Sequence, residues 1–212
     1  IILYNNIMNN LQIKSKQRVS EFGEVYTAQR EVNAMLNLVG DEVRHISSTV
    51  LEPACGIGNF LVEIIRRKLE TVKRVSSNSF EYELYAALAF SSIYGVDILQ
   101  DNVKASRQRM LDVFMSEYPY AVQNGPQKSC LNAINFIMKR NIQCGDTLTM
   151  LSYKGQPLTI SEWFLTDSNE FRRLDVLYKD MVNGIEDNYI KRYKYDWFVR
   201  KPLNIEGELI YA

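Results

Sequence analysis

Hydrophobic positions along the chain fall into two alternating rhythms. From Gln29 to Val43 the apolar residues Val32, Met35, Leu36, Val39 and Val43 recur every three or four positions, which predicts one face of an amphipathic helix. Thr49 to Glu52 is short, apolar and β-branched and breaks at Pro53, as a buried strand ending in a loop would. Leu61, Val62, Ile64, Ile65, Leu69 and Val72 then mark a second helix, and a third runs from Phe80 to about Ser92 after the break Ser76-Ser77-Asn78-Ser79. Ile93 to Ile98 reads as a second strand. Another helix fits Asn102 to Glu117, Asn124-Gly125-Pro126 signals a loop, and Asn141 to Cys144 reads as a third strand. Beyond Met150 the rhythm weakens. There Pro157–Leu165 reads as a strand or edge hairpin, Glu170–Val182 as a helix, and Tyr195–Val199 as a fourth core strand, while residues 7–18 carry a mild helical pattern.

Strands separated by helical segments predict a βαβ series around a parallel sheet, an α/β fold. Composition fits one such unit: 212 residues, 46% hydrophobic, 11% aromatic, with 25 basic residues balancing 25 acidic ones. The longest charge-free apolar stretch, Leu84 to Val96, has 13 residues, short of the roughly 20 that span a bilayer. No membrane span is expected. Cys55, Cys130 and Cys144 are widely spaced and odd in number, so they offer neither a disulfide framework nor a paired metal site and point to a reducing cytoplasm. With His45 the single histidine, serine-hydrolase triads and histidine-rich metal centres lack their main reagent. No metal is expected.

The chemistry concentrates in Leu51-Glu52-Pro53-Ala54-Cys55-Gly56-Ile57-Gly58-Asn59-Phe60-Leu61. A strand ends in a carboxylate, a two-glycine turn follows, and a helix begins with free N–H groups, the physics of a nucleotide site. A carboxylate at that strand end repels a pyrophosphate but suits a cationic ligand. S-adenosylmethionine, with its sulfonium and ammonium, is such a ligand.

The full string resembles the first cofactor motif of the adenine-N6 DNA methyltransferases of restriction–modification systems. Three further segments follow that family's order. Phe22-Gly23-Glu24-Val25-Tyr26-Thr27-Ala28-Gln29 is similar to the segment that holds the methionine end of the cofactor, with Ala28 where the family usually has proline. Tyr94-Gly95-Val96-Asp97-Ile98 is similar to the second motif, whose acid binds the ribose hydroxyls. Asn141-Ile142-Gln143-Cys144-Gly145-Asp146-Thr147-Leu148 is similar to the third, whose aspartate accepts from the adenine amino group.

The resemblance covers roughly residues 14–150. It implies a Rossmann-like methyltransferase sheet and S-adenosylmethionine as cofactor, held by Phe22, Gly23, Glu24, Tyr26, Thr27, Glu52, Pro53, Ala54, Cys55, Gly56, Gly58, Asn59, Phe60, Asp97, Ile98, Gly145 and Asp146. Taken singly, Glu52 also fits a solvated strand end, Asp97 a helix cap and Asp146 a turn. Cys55 and Cys144 read as packed small residues. Glu52 and Asp97 are 45 positions apart and Asp97 and Asp146 are 49, where a minimal nucleotide-binding unit needs about 20. The extra helix Phe80–Ser92 is expected to fill the first excess and the loop around Gly125 the second.

Transfer to adenine also needs an acceptor for the amine hydrogens and an aromatic to stack on the flipped base, which the family supplies with an acidic or amide residue, two prolines and an aromatic. No two of the five prolines here are adjacent. If Tyr195–Val199 is the preceding strand, Lys201 stands at the acceptor position, Pro202 keeps one proline and Asn204 replaces the aromatic. A lysine ammonium has three donors and no acceptor. Lys201 and Pro202 are thus the candidates for a degenerate catalytic motif. Only nine residues follow Leu203, so the expectation is either a continuation past Ala212 or a reduced relative working with a partner.

Tyr189 to Lys201 interleaves Lys191, Arg192, Lys194, Arg200 and Lys201 with five aromatics, a composition open both to a nucleic-acid groove and to a strand with aromatics inward and cations outward. DNA and a specificity or restriction subunit are the partners the resemblance implies. Three regions are expected: 1–48 as an N-terminal helical segment bearing the methionine-end motif, 49–150 as the cofactor-binding core, and 151–212 as a segment completing or flanking the sheet. The alternative function is a non-catalytic subunit that uses the same fold to dock DNA or a partner.

Overall fold

In the computed structural model, the described residues are 13–118, 125–167, 169–184, 189–195 and 208–209. Two four-stranded sheets organise them. The first has the order β1 (Val50–Glu52), β2 (Ile93–Asp97), β3 (Ile142–Asp146), β4 (Leu151–Ser152). β1, β2 and β3 are parallel, and β4 turns back antiparallel on β3. The chain is therefore α/β with a mixed sheet.

Seven α-helices are described: α1 (Lys16–Phe22), α2 (Gln29–Leu38), α3 (Asn59–Val75), α4 (Ser79–Ser91), α5 (Gln100–Glu117), α6 (Lys128–Asn141) and α7 (Tyr178–Val182). Each parallel crossover contains two of them, α3 and α4 between β1 and β2, α5 and α6 between β2 and β3. α3 packs on α5 and α4 on α6. The spacing between Asp97 and Asp146 is thus filled chiefly by α6, where the loop around Gly125 was expected. Cys130, Ala133, Ile134, Ile137 and Met138 form its buried face at helical intervals.

The two faces of the parallel strands meet different partners. A β-carbon on Gly95 would stand 2.8 Å from Leu61 Cδ1 and 3.2 Å from Cys55 Sγ, so that face lies against α3 and the glycine turn. On the other face the Tyr94 hydroxyl donates to the Ser161 carbonyl (2.9 Å), and Val96 clusters with Leu158, Ile160, Val176 and Tyr178. These last residues belong to the second sheet and its flanks. Apolar almost all round, α4 is buried accordingly, with Tyr82, Leu84, Ala86, Ala87, Ala89 and Phe90 in the core. Asn141 clamps the layers: its amide donates to the carbonyls of Ser91 (2.9 Å) and Ile93 (3.2 Å) and accepts from Trp163 Nε1 (2.9 Å).

The second sheet, β5 (Thr159–Leu165), β6 (Phe171–Leu177), β7 (Tyr189–Tyr195) and β8 (Glu208–Leu209), is antiparallel throughout. Of the strand or edge hairpin expected over Pro157–Leu165, the strand is present, as β5, and it pairs with β6 beyond that span. A helix over Glu170–Val182 is not present: β6 occupies most of that span, followed by the short α7. The reason is chemical. Two inward positions of β6 are charged, Arg173 and Asp175, joined at 3.0 Å and both buried. Alternation in burial is real, but hydrophobicity does not spell it. Of the strand expected at Tyr195–Val199, Tyr195 belongs to β7 of the antiparallel sheet; residues 196–199, Lys201, Pro202 and Asn204 lie outside the described residues.

Candidate functional site

Glu52, Asp97 and Asp146 stand at the carboxyl ends of three adjacent parallel strands. Register staggers them, with Glu52 beside Gly95 and Asp97 beside Cys144. Each acid thus lies two residues beyond the neighbour of the one before, forming a diagonal along the crevice where open α/β sheets place ligands.

The turn 53–58 crosses this crevice before α3. Cys55 N–H donates to the Val96 carbonyl (2.9 Å) and Gly58 N–H to the Cys55 carbonyl (2.8 Å). Gly56 and Gly58 are left-handed, at φ 52° and 82°. At Gly58 a β-carbon would meet Ser106 Oγ at 2.5 Å and Ser106 Cα at 3.2 Å. Glycine there lets the start of α3 touch the backbone of α5.

Asp97 is the hub. One oxygen accepts the Gly56 N–H (2.9 Å); the other accepts the Leu99 N–H (2.9 Å) and the Asn102 amide (3.2 Å). A carboxylate has about four lone-pair positions, so it can still accept from a ligand hydroxyl. Glu52 differs: it accepts from the Ala54 N–H, and burial pushes its pKa above the ordinary value. Among the described residues no cation pairs with it. Asp146 is half-buried, and the Leu148 N–H (2.8 Å) and then the Thr149 hydroxyl (3.0 Å) hold its pKa down. The Thr147 hydroxyl donates to the Pro53 carbonyl (3.2 Å), tying the loop after β3 to the glycine turn. Ile98 and Leu148, next to these acids, are exposed apolar side chains, at 47% and 91%.

The N-terminal segment is fastened to the same place. Ser15 caps α1 by accepting the Arg18 N–H (3.1 Å), and left-handed Gly23 ends it. The Arg18 guanidinium grips Glu24 through Nε (2.6 Å) and Nη2 (2.8 Å) and reaches Asp101 (2.6 Å), so Asp101 titrates well below the usual carboxylate range. Glu24 also accepts from the Asn102 amide (2.5 Å). The Tyr26 ring covers Gly56, with Cδ1 and Cε1 3.6 Å from where a β-carbon would be. The Thr27 carbonyl accepts from the Asn59 amide (2.8 Å), and Arg109 donates to Asn59 Oδ1 and the Ile57 carbonyl, both at 2.7 Å.

The structure thus brings Gly23, Glu24, Tyr26, Thr27, Glu52, Pro53, Ala54, Cys55, Gly56, Gly58, Asn59, Asp97, Ile98, Gly145 and Asp146 to one end of the parallel sheet. Glu24 is already occupied by Arg18 and Asn102, so its visible task is to lock the N-terminal segment to α5. Phe22 is largely exposed at the end of α1, and Phe60 packs half-buried against the core. The Cys55 thiol is buried and raised in pKa by desolvation, as a packed residue is. Sequence reasoning missed Arg18, Asn102, Arg109 and Leu148. The first three act through contacts 50 or more positions away, which no local pattern reveals.

Comparison with known protein families, curated proteins and solved structures finds no match. The functional reading therefore rests on the motifs and on the geometry. No helix among the described residues is long and apolar enough to cross a membrane. Among the same residues, no group of three or more His, Cys, Asp or Glu side chains could hold a metal ion.

Proposed function

We propose that this chain is an S-adenosylmethionine-binding domain of the adenine-N6 DNA methyltransferase kind, related to restriction–modification systems and built on a Rossmann-like sheet. The observation that carries the reading is Asp97 accepting the Gly56 N–H at 2.9 Å. It couples the glycine turn to the acid of the next strand at the crevice where a ribose would lie.

The residues fit the cofactor. Glu52, half-buried and with no cation partner among the described residues, suits an ammonium or sulfonium; Asp97 suits the ribose hydroxyls and Asp146 the adenine amine. Exposed Ile98 and Leu148 offer apolar surface for a flat ring. The Tyr26 ring and the Thr27 backbone, held by Asn59, wall the end nearest the glycine turn. S-adenosylmethionine supplies a methyl group on a sulfonium, ready for transfer to a nucleophile. This chain's residues bind and orient it.

Affinity should depend on pH through Glu52. A cationic ligand favours the ionised carboxylate, so binding weakens as pH falls through the raised pKa of Glu52. Calorimetric titrations over acidic to neutral pH should show that loss in the native protein. Glu52→Gln should bind more weakly at neutral pH and show a flatter acid limb.

A second reading, a non-catalytic DNA- or partner-binding subunit, is favoured by the sequence itself, in which no two of the five prolines are adjacent, so the paired prolines of the resembling family's catalytic motif are missing. A labelled-methyl assay on unmethylated duplex DNA separates the two. Domain-level cofactor binding without transfer by this chain alone is the expected result, with transfer appearing once a partner subunit completes the site. Incorporation at adenine by the 212-residue chain alone would overturn the assignment of a degenerate motif.

A further inference from the structure

A cavity of about 310 Å³ opens between α5, α6, β3 and β4. Gln100, Val103, Lys104 and Arg107, one stripe of α5 at helical spacing, form one wall; Lys139 of α6, Gln143 and Cys144 of β3, and Ser152 and Tyr153 at β4 form the rest. Its volume falls in the range of small-ligand sites. None of the three acids of the crevice lines it.

Its charge is one-sided. Lys104, Arg107 and Lys139 are cations, no carboxylate lines the cavity, and among the described residues none of the three has an acidic partner. Arg107 is the most telling. Its Nε donates to the Ile142 carbonyl (3.0 Å), and its Nη2 to the Lys139 (3.2 Å) and Ile142 carbonyls. Those carbonyls fix the guanidinium without neutralising it, and burial pushes its pKa down. A half-buried, immobilised cation flanked by two exposed lysines favours an anion entering the cavity. The hydroxyls of Ser152 and Tyr153 add neutral donors.

We infer that this cavity is a second ligand site, which binds a phosphate group through Lys104, Arg107 and Lys139. The group is either the phosphate of a small nucleotide or pyrophosphate-like ligand, or a phosphodiester of a nucleic acid. Nothing in this assignment depends on the cofactor reading of the crevice, so either can fail alone.

Binding is measured by calorimetry with inorganic pyrophosphate and, in a second arm, by fluorescence anisotropy with a labelled duplex DNA. The test pair is the native protein and Lys104→Glu/Lys139→Glu, whose exposed positions leave the core untouched. Lys73→Glu on α3 is the charge control. Affinity for one of the two probes should fall about tenfold or more in the double variant, with a shallower salt dependence, and stay unchanged in Lys73→Glu. Loss with pyrophosphate identifies a small phosphate ligand, and loss with the duplex alone identifies a phosphodiester. Pyrophosphate, or the duplex, should also slow iodoacetamide labelling of Cys144, which lines the cavity, in the native protein only. Binding of neither probe, or binding that survives the double variant, would overturn the inference.

Discussion

Replacing Lys68 with methionine should destabilise the protein by about 3–5 kcal/mol, the cost of leaving several buried carbonyls without a donor. Lys68 lies in the middle of α3 and is fully buried. Its ammonium, with three donors, lies within hydrogen-bond distance of four acceptors, the carbonyls of His45 (3.0 Å), Ile46 (3.2 Å) and Ser48 (2.5 Å) and Ser92 Oγ (2.7 Å). These four acceptors are the loop that leads into β1 and the residue just before β2. One side chain therefore ties together the amino ends of both strands whose carboxyl ends carry Glu52 and Asp97. Methionine matches the length of the stem but offers no donor.

The same residue makes stability depend on pH. Burial pushes the Lys68 pKa down from 10.5 to about 7. Between these values the unfolded chain holds a proton that the folded chain has released, so stability rises with pH across that window. Below about 7 both states are protonated and the contribution is flat. Urea unfolding at pH 7 and pH 9 should show the native protein gaining about 2 kcal/mol from this residue. Lys68→Met should lack that gain. An equal pH response in both proteins would contradict the assignment.

Gly58→Ala is the second large effect, and it strikes the site. Left-handed φ costs a β-carbon about 1–2 kcal/mol. Contact with Ser106 adds an overpacking cost of about 1–3 kcal/mol. Rotating the serine hydroxyl away does not relieve it, because Ser106 Cβ and Cα stand at 2.9 and 3.2 Å from the new carbon. α3 and α5 must separate, and the turn beneath Asp97 moves with them. A total of about 3 kcal/mol corresponds to a melting point lower by roughly 6–12 °C in a domain of this size. Gly58→Asn tests the cause. Asparagine tolerates left-handed φ but keeps the β-carbon, so it should rescue little. Near-native stability in Gly58→Asn would assign the effect to the backbone angle and not to the helix contact.

The sequence was most legible where local chemistry and hydrophobic rhythm agree. Val50–Glu52, Ile93–Asp97 and Ile142–Asp146 are apolar runs stopped by an acid or a glycine, and the three acids meet at one sheet end because parallel strands share a direction. The antiparallel half was harder to read. In β6 the buried Arg173–Asp175 pair places charge where an apolar residue would have announced a strand. Arg173 is accommodated by stacking over Phe136 (5.6 Å) and Trp163 (5.9 Å), contacts that exist only after folding. Glu24 shows the same limit at the site. Its place in a motif was visible, but its bond to Asn102 of α5 spans 78 positions.

Calorimetric titration of S-adenosylmethionine into the intact protein and into Asp97→Ala, with the fold of both checked by thermal melting, tests the central claim most directly. The account predicts saturable binding on the order of micromolar in the native protein and at least about tenfold weaker binding in a folded Asp97→Ala. No binding by the intact protein, or equal binding by both, would contradict it.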